Sequence, residues 1–299
     1  MAAVLVFSVS AMAQKTSDEY ATRYSMLVNR LGITGVGVET LIQKWESEFP
    51  DDVRMLAAKF TYYYTKSQSS EVVEKPSAKY KGNDPVLSLD DSLGVKHYYF
   101  EEVSFSDSLF SIAGQAVDKA ISVNPNELNY RISKITALLA YEQDSPDMAA
   151  MSLKSLIDYN YTAHPAWTYN NEPADPSLFD DAVQEYGYSF FKLGSPQGYN
   201  AFKEVSEKML KYQPSSTVYL GNMGSYYFVA AKDNKTALKY YQKVLKLKPD
   251  DYTAIKNCVL MARREKNTKL EKKYLPLLAK YSPTESERIA AQARLDSMK

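Results

Sequence analysis

One cysteine, two histidines and no net charge are what this chain has least of, and each shortage narrows what it does. Cys258 has no second thiol to pair with, so no intramolecular disulfide braces the fold. His97 and His164 are the only histidines. No H-x-x-x-H or C-x-x-C spacing accompanies them, and no metal site is expected. Thirty-six basic residues balance 36 acidic ones, which removes the electrostatic case for nucleic acid or an anionic membrane surface. Walker loops, dinucleotide fingerprints and G-x-S-x-G elbows are all missing. The glycine-rich run from Gly32 to Gly37 follows a helical pattern rather than a strand, and reads as a helix–helix turn. Cys258 has no neighbouring base and reads as a packing thiol. A hydrolase would have to work through His97 and His164. The chain is read as non-enzymatic, with no catalytic residue and no cofactor.

Long apolar runs are equally scarce. The one at the start, MAAVLVFSVSAMAQK, is too short to span a bilayer. It ends at Ala11-Met12-Ala13, the A-x-A form of a signal-peptidase site, although no Lys or Arg precedes it. The expectation is a signal peptide over 1–13, Gln14 as first mature residue, no integral membrane segment after cleavage, and a periplasmic or secreted protein. With no cysteine at the cleavage point, no lipid anchor is expected there.

What the chain does have is 45% hydrophobic and 24% charged residues, enough for a packed core, and prolines at a fixed interval. Pro214, Pro249 and Pro283 close the similar runs KMLKYQP, VLKLKP and LLAKYSP. Between the first two, 219–231 and 236–247 read as a helix pair around a polar Lys232-Asp233-Asn234 turn. Ala237, Leu238, Tyr241, Val244 and Leu245 form one helical stripe, and Pro249 then stops the helix for want of an amide donor.

A repeat of about 34 residues with proline after the second amphipathic helix resembles the tetratricopeptide family. Ala237 matches the small residue where the paired helices cross, and Tyr241 the aromatic that packs back on the first helix. Gly224-Ser225 stands where the family usually has leucine-glycine, and Val244 where it has alanine. In the next pair Glu271 takes the place of the small crossing residue, so looser packing is expected there. The resemblance is specific from about residue 178 and drifts upstream, where Pro125 and Pro50 close earlier helices. Ala113, Val117 and Ala120 repeat the family spacing before Pro125, and Ser145-Pro146 reads as a helix start. Residues 284–298 read as a polar terminal helix covering the last apolar face. The implied fold is all-α, a right-handed α-solenoid of about six TPR-like helix pairs with a small β-hairpin insertion. TPR-like helices are expected over 14–66 and 106–158, and TPR repeats with a capping helix over 178–299.

Two segments break the array. Residues 67–105 are too long for a turn. Val95, Tyr98, Phe100 and Val103 suggest a β-hairpin with Ser92-Leu93-Gly94 near its turn. Residues 159–177 form an aromatic loop with three prolines and no helical period.

The paired acids Asp51-Asp52 and Asp250-Asp251 follow a stopping proline and precede a helix, so they read as helix caps rather than catalytic carboxylates. Asp-Ser before an apolar residue, at Asp91, Asp107 and Asp296, resembles an O-glycosylation motif of exported bacterial proteins. In the tetratricopeptide family the first helices line the binding face. That places Tyr219, Asn222 and Tyr226 there with Lys256 and Arg263, and the amide with two cations resembles part of a carboxylate clamp. Tyr161, Trp167 and Tyr169 near His164 are the rival anchors. The leading expectation is a scaffold for a protein or peptide partner. The alternative is a glycan- or nutrient-binding accessory protein of the cell envelope, with Trp167 and Tyr169 stacking on sugar.

Overall fold

Five prolines stop five helices at the same place. In the computed structural model, which describes residues 16–80, 83–143 and 145–298, Pro50, Pro125, Pro214, Pro249 and Pro283 each lie two residues past the last helical residue. The residue between donates its amide to the carbonyl four positions back, as Phe49 does to Trp45 and Lys248 to Val244. Proline bars the residue before it from the helical region. Phe49, Asn124, Gln213 and Lys248 accordingly share φ between −123° and −137°. The expected leader and cleavage point lie outside the described residues.

Thirteen helices are present among the described residues. They are α1 (Ser17–Leu31), α2 (Val38–Glu48), α3 (Val53–Ser67), α4 (Asp107–Val123), α5 (Leu128–Glu142), α6 (Asp147–Ala163), α7 (Leu178–Lys192), α8 (Pro196–Tyr212), α9 (Thr217–Val229), α10 (Asn234–Leu247), α11 (Tyr252–Arg264), α12 (Thr268–Tyr281) and α13 (Glu285–Asp296). The expected all-α fold of TPR-like helix pairs is present, with only small strands added. Short polar residues start the helices by accepting backbone amides. Asp52 takes that of Arg54, Ser195 that of Gly198, Asp233 that of Thr236, Asp251 that of Ala254 and Asn267 that of Leu270, at 2.8–3.0 Å. Asp52 and Asp251 are therefore caps, as their place after a proline implies.

The chain divides into two units. The N-terminal unit takes in the residues up to Pro76 with Pro85–Ala137 and Ala166–Ala174; the C-terminal unit takes in Ser77–Asp84, Leu138–Pro165 and the chain from Asp175. In the N-terminal unit, α1 to α4 close over Tyr20, Ile42, Trp45, Met55, Leu56, Val117 and Ala120. Tyr20 stacks on Trp45 with ring centroids 6.1 Å apart. Both polar tips are satisfied, Tyr20 donating to Glu48 at 2.6 Å and the Trp45 indole to Ser17 at 3.1 Å.

The first insertion is a strand ribbon set between the helices of one pair, α3 and α4. It contains β1 (Gln68–Lys75), β2 (Leu87–Asp90) and β3 (Lys96–Phe105), in the order β1-β3-β2, all antiparallel. The expected hairpin is β2–β3. Asp91 closes its turn by accepting the amides of Leu93 and Val95 at 2.8 Å each. The third strand, β1, went unread because Glu71, Val72, Val73 and Glu74 do not alternate in polarity.

Three other expectations are corrected. Helix α6 runs to Ala163, so Tyr159 and Tyr161 are helical and the loop proper begins after them. Ser145-Pro146 does not cap α6. The Glu142 carboxylate takes the amides of Met148 and Ala149, at 2.6 and 2.8 Å, and burial raises its pKa. Glu271 does not loosen its crossing; it is 3% exposed and fully paired.

In the C-terminal unit the tightest approach is between α9 and α10. Tyr241 is fully buried, and its ring lies where a Cβ on Gly224 would fall, 2.6–2.9 Å away. Ala237 and Val244 complete the buried stripe. Gly221, one turn earlier, faces open space. Gly224→Ala and Ala237→Phe are each expected to cost about 1–3 kcal/mol by overpacking this crossing, whereas Gly221→Ala is expected to be neutral or stabilising by up to about 1 kcal/mol. Urea denaturation checks all three, and equal midpoints for Gly224→Ala and Gly221→Ala would contradict the crossing.

Candidate partner-binding surface

Helices α7, α9 and α11 are the first helices of successive pairs, and each contributes a polar side chain to one row. Gln184 of α7 and Asn222 of α9 exchange both amide bonds, at 3.0 and 3.4 Å. Ser225, a turn further along α9, meets the Tyr241 hydroxyl at 3.2 Å, and Asn257 of α11 donates to the same hydroxyl at 3.0 Å. Beside this row lies a cavity of about 240 Å³, lined among others by Gln184, Val218, Gly221, Asn222, Lys248 and Asp251.

The five groove residues expected from sequence do not converge. Tyr219 is 3% exposed, and burial raises its pKa far above the phenol range, so it is a core residue. Tyr226 packs edge-on against Tyr227 at 5.3 Å, with the Lys203 ammonium 5.7 Å from its ring centre. Lys256 is held by the Tyr252 hydroxyl at 2.9 Å and Glu287 at 3.2 Å. Arg263 is held by Glu271 at 2.8 Å. Asn222 alone lines the cavity. The amide and the two cations thus serve three different partners, and no carboxylate clamp is assembled.

Both cations serve the end of the chain. Glu271 on α12 receives Arg263 from α11 and Arg294 from α13, the latter through both of its carboxylate oxygens at 3.1 Å. Glu287 of α13 accepts from Tyr252 at 2.7 Å and Ser282 at 2.6 Å besides Lys256. The expected capping helix is therefore latched through charge as well as through its buried Ala291. The only sequence trace of this latch was the anomaly of an acid in a small residue's place.

The rival anchors fall in different units. Tyr161 belongs to the C-terminal unit, stacked on Tyr212 at 4.3 Å and accepting from Gln213 at 2.5 Å. Trp167 and Tyr169 belong to the N-terminal unit. There β4 (Thr168–Tyr169) and β5 (Glu172–Pro173) form a tight turn, and the Arg131 guanidinium lies 5.8 Å from the Trp167 ring centre. The sequence showed no sign of Glu127, whose buried carboxylate holds this turn.

The groups weighed for catalysis have structural surroundings. Burial pushes the Cys258 thiol up to about 12, far from a thiolate at neutral pH. His97 bridges Glu74 at 2.6 Å and Asp91 at 3.4 Å across the sheet, and both acids, Glu74 foremost, raise its pKa. His164 caps α6 in the left-handed region. Among the described residues no cluster of His, Cys, Asp and Glu could hold a metal ion, and no helix is long and apolar enough to cross a membrane.

Helix pairs, proline stops and a close small-residue crossing define an all-α repeat protein of the tetratricopeptide type. No family model matches the chain, and no curated protein matches it. Among solved structures it is similar to Pseudomonas aeruginosa pilF, at 12% identity over 93% of this chain and 97% of that one, with a TM-score of 0.36. PilW, a widely conserved type IV pilus biogenesis factor, is 11% identical over 93% and 99% of the two chains, with a TM-score of 0.40. The flexible tandem repeat domain of bacterial cellulose synthase is 12% identical over 95% and 98%, with a TM-score of 0.28. TM-scores this low carry no partner or process over to this chain.

The latch has a pH signature. Arg294 first, then Arg263, holds the Glu271 carboxyl below its ordinary value. A depressed folded pKa gives stability that is complete above the unfolded pKa, about 4.3, and is lost as pH falls through the folded one. Glu271→Gln is expected to cost about 1–2 kcal/mol at pH 7, between a surface and a buried pair. That gap should shrink as pH drops below about 4. Urea midpoints for both proteins across this range check it; a gap independent of pH would remove the latch from the account.

Proposed function

We propose that this chain is a non-catalytic, exported scaffold that holds an extended peptide segment of a protein partner along α7, α9 and α11. The observation that carries the reading is the amide row. Gln184, Asn222 and Asn257 come from three successive first helices, and the first two line an open cavity or its edge. Side-chain amides both donate and accept, which matches the repeating N–H and C=O groups of an extended backbone. The cavity beside them accommodates one side chain. Lys256 and Tyr226 flank the row from α11 and α9 as secondary contacts.

Because Lys256 and Arg263 already have carboxylate partners, the proposed site grips the middle of a peptide rather than its C-terminus. Peptides selected from a random library on the full chain are expected to bind equally as free acids and as C-terminal amides. Gln184→Ala with Asn222→Ala is expected to weaken them about tenfold, the loss of one or two hydrogen bonds. Loss of binding on amidation, with no effect of the double substitution, would replace this reading with carboxylate capture.

Export is supported by the change from an apolar run ending at Ala13 to the polar stretch beginning at Gln14. Terminal sequencing of the protein recovered from the envelope fraction of its cells is expected to start at Gln14. Full-length protein confined to the cytosol would contradict export.

A further inference from the structure

The N-terminal unit contains a cavity of about 340 Å³ that the peptide reading does not use. Its floor is Ala21, Ala57 and Ala58 with the edge of Trp45, and its walls are Tyr24 and Tyr130. Its rim is polar: Asn129 from the first turn of α5, and Asn170 and Asn171 from the β4–β5 turn. All of these residues belong to one unit.

The rim is built, not incidental. Glu127 is 1% exposed, and its carboxylate accepts the amides of Asn170 at 2.7 Å and Asn171 at 3.0 Å and the Thr168 hydroxyl at 2.8 Å. Burying a charge is costly unless it is bonded this fully. Asn170 and Asn171 have φ of 55° and 65°, a region that asparagine tolerates better than most residues. The Asn129 amide donates to Asn170 Oδ1 at 2.8 Å. A buried carboxylate and two left-handed residues thus fix the turn beside α5, with Asn170 and Asn171 exposed at its tip.

The walls are left with unmet hydrogen-bonding capacity. Tyr130 is 9% exposed, burial raises its pKa, and its hydroxyl has no partner among the described residues. Tyr24 is half-buried, and its hydroxyl also has no partner among them. Neither hydroxyl is sealed from the cavity, for neither is among the buried polar atoms left without a bond.

Charge decides the ligand class. The one cation at the site, Arg54, is already bonded to Asp18 at 2.7 Å and Asp52 at 3.2 Å. The one acid, Glu127, is spent on the turn. An anion would find no uncompensated cation, and an apolar group would leave two phenols and the rim amides bare. What remains is a neutral molecule with an apolar face for the aromatic rings and many groups that both donate and accept. We infer that this cavity binds a neutral pyranose sugar, free or at the end of a glycan. The sugar's C–H face lies against Tyr24 and Tyr130, and its hydroxyls meet the two phenols, Asn129 and Asn171. The volume is at the low end of small-molecule sites, about 300–1,000 Å³, which suits one or two rings.

Trp45 in the floor is the reporter. With Trp167→Phe it is the sole tryptophan of the full chain. The probes are glucose, galactose, mannose, N-acetylglucosamine, cellobiose and chitobiose, with glucuronate and glutamate as charged counterparts. At least one neutral sugar is expected to change Trp45 emission saturably at up to millimolar concentration. Tyr130→Phe and Asn171→Gly, which keep packing and backbone geometry, are each expected to weaken it about fivefold without moving the melting midpoint. Tyr24→Phe takes the place of either variant if that variant fails to fold. The inference is overturned if no neutral sugar saturates, if glucuronate or glutamate binds more tightly than every neutral sugar, or if the variants bind the sugar as the unsubstituted protein does.

Discussion

A helix pair has more apolar surface than its two members can cover between them, and that constraint orders the C-terminal unit. The stripe of α10 buries Ala237, Tyr241 and Val244, and this is possible only because Gly224 of α9 leaves room for the Tyr241 ring. The Tyr241 hydroxyl, deep in the crossing, is then served from both neighbours by Ser225 and Asn257. One side chain therefore ties three helices and sets the spacing of the face on which the amide row stands. The proline stops make this spacing repeatable, since each fixes where a second helix ends.

Stacking of this kind leaves ends and insertions that the repeat itself cannot hold, and the chain holds them with buried carboxylates. Glu271 draws α13 onto the last pair through Arg294 and Arg263. Glu127 draws the β4–β5 turn onto the start of α5 through backbone amides. Glu142 caps α6 from the preceding helix. A buried carboxylate whose bonds all go to one non-repeat element makes the position of that element specific, because any other position would leave the charge unpaired. The proposed sugar cavity depends on one of these ties and the proposed peptide face on none, so the two sites are physically separable.

The helices were legible because their signals are local. Proline spacing, a stripe at helical period and an acid after each stop are read within a dozen residues, and they placed Pro50, Pro125, Pro214, Pro249 and Pro283 correctly. The sites were not, because they depend on partners distant in sequence. Lys256 and Arg263 read as free cations until Glu287 and Glu271 were brought to them. Tyr219 read as surface by family position, but its neighbours bury it. Tyr161 and Trp167 stand six residues apart in one segment and belong to different units. The β1 strand had no alternation to betray it, since its partner β3 supplies the pairing.

The central claim is that a partner lies along the first helices of the C-terminal pairs. Amide hydrogen exchange of the full chain, with and without a library-selected peptide, tests it most directly. The account predicts slowed exchange confined to α7, α9 and α11 and the turns that follow them. Protection confined to α8, α10 and α12, or spread evenly over the chain, would contradict it.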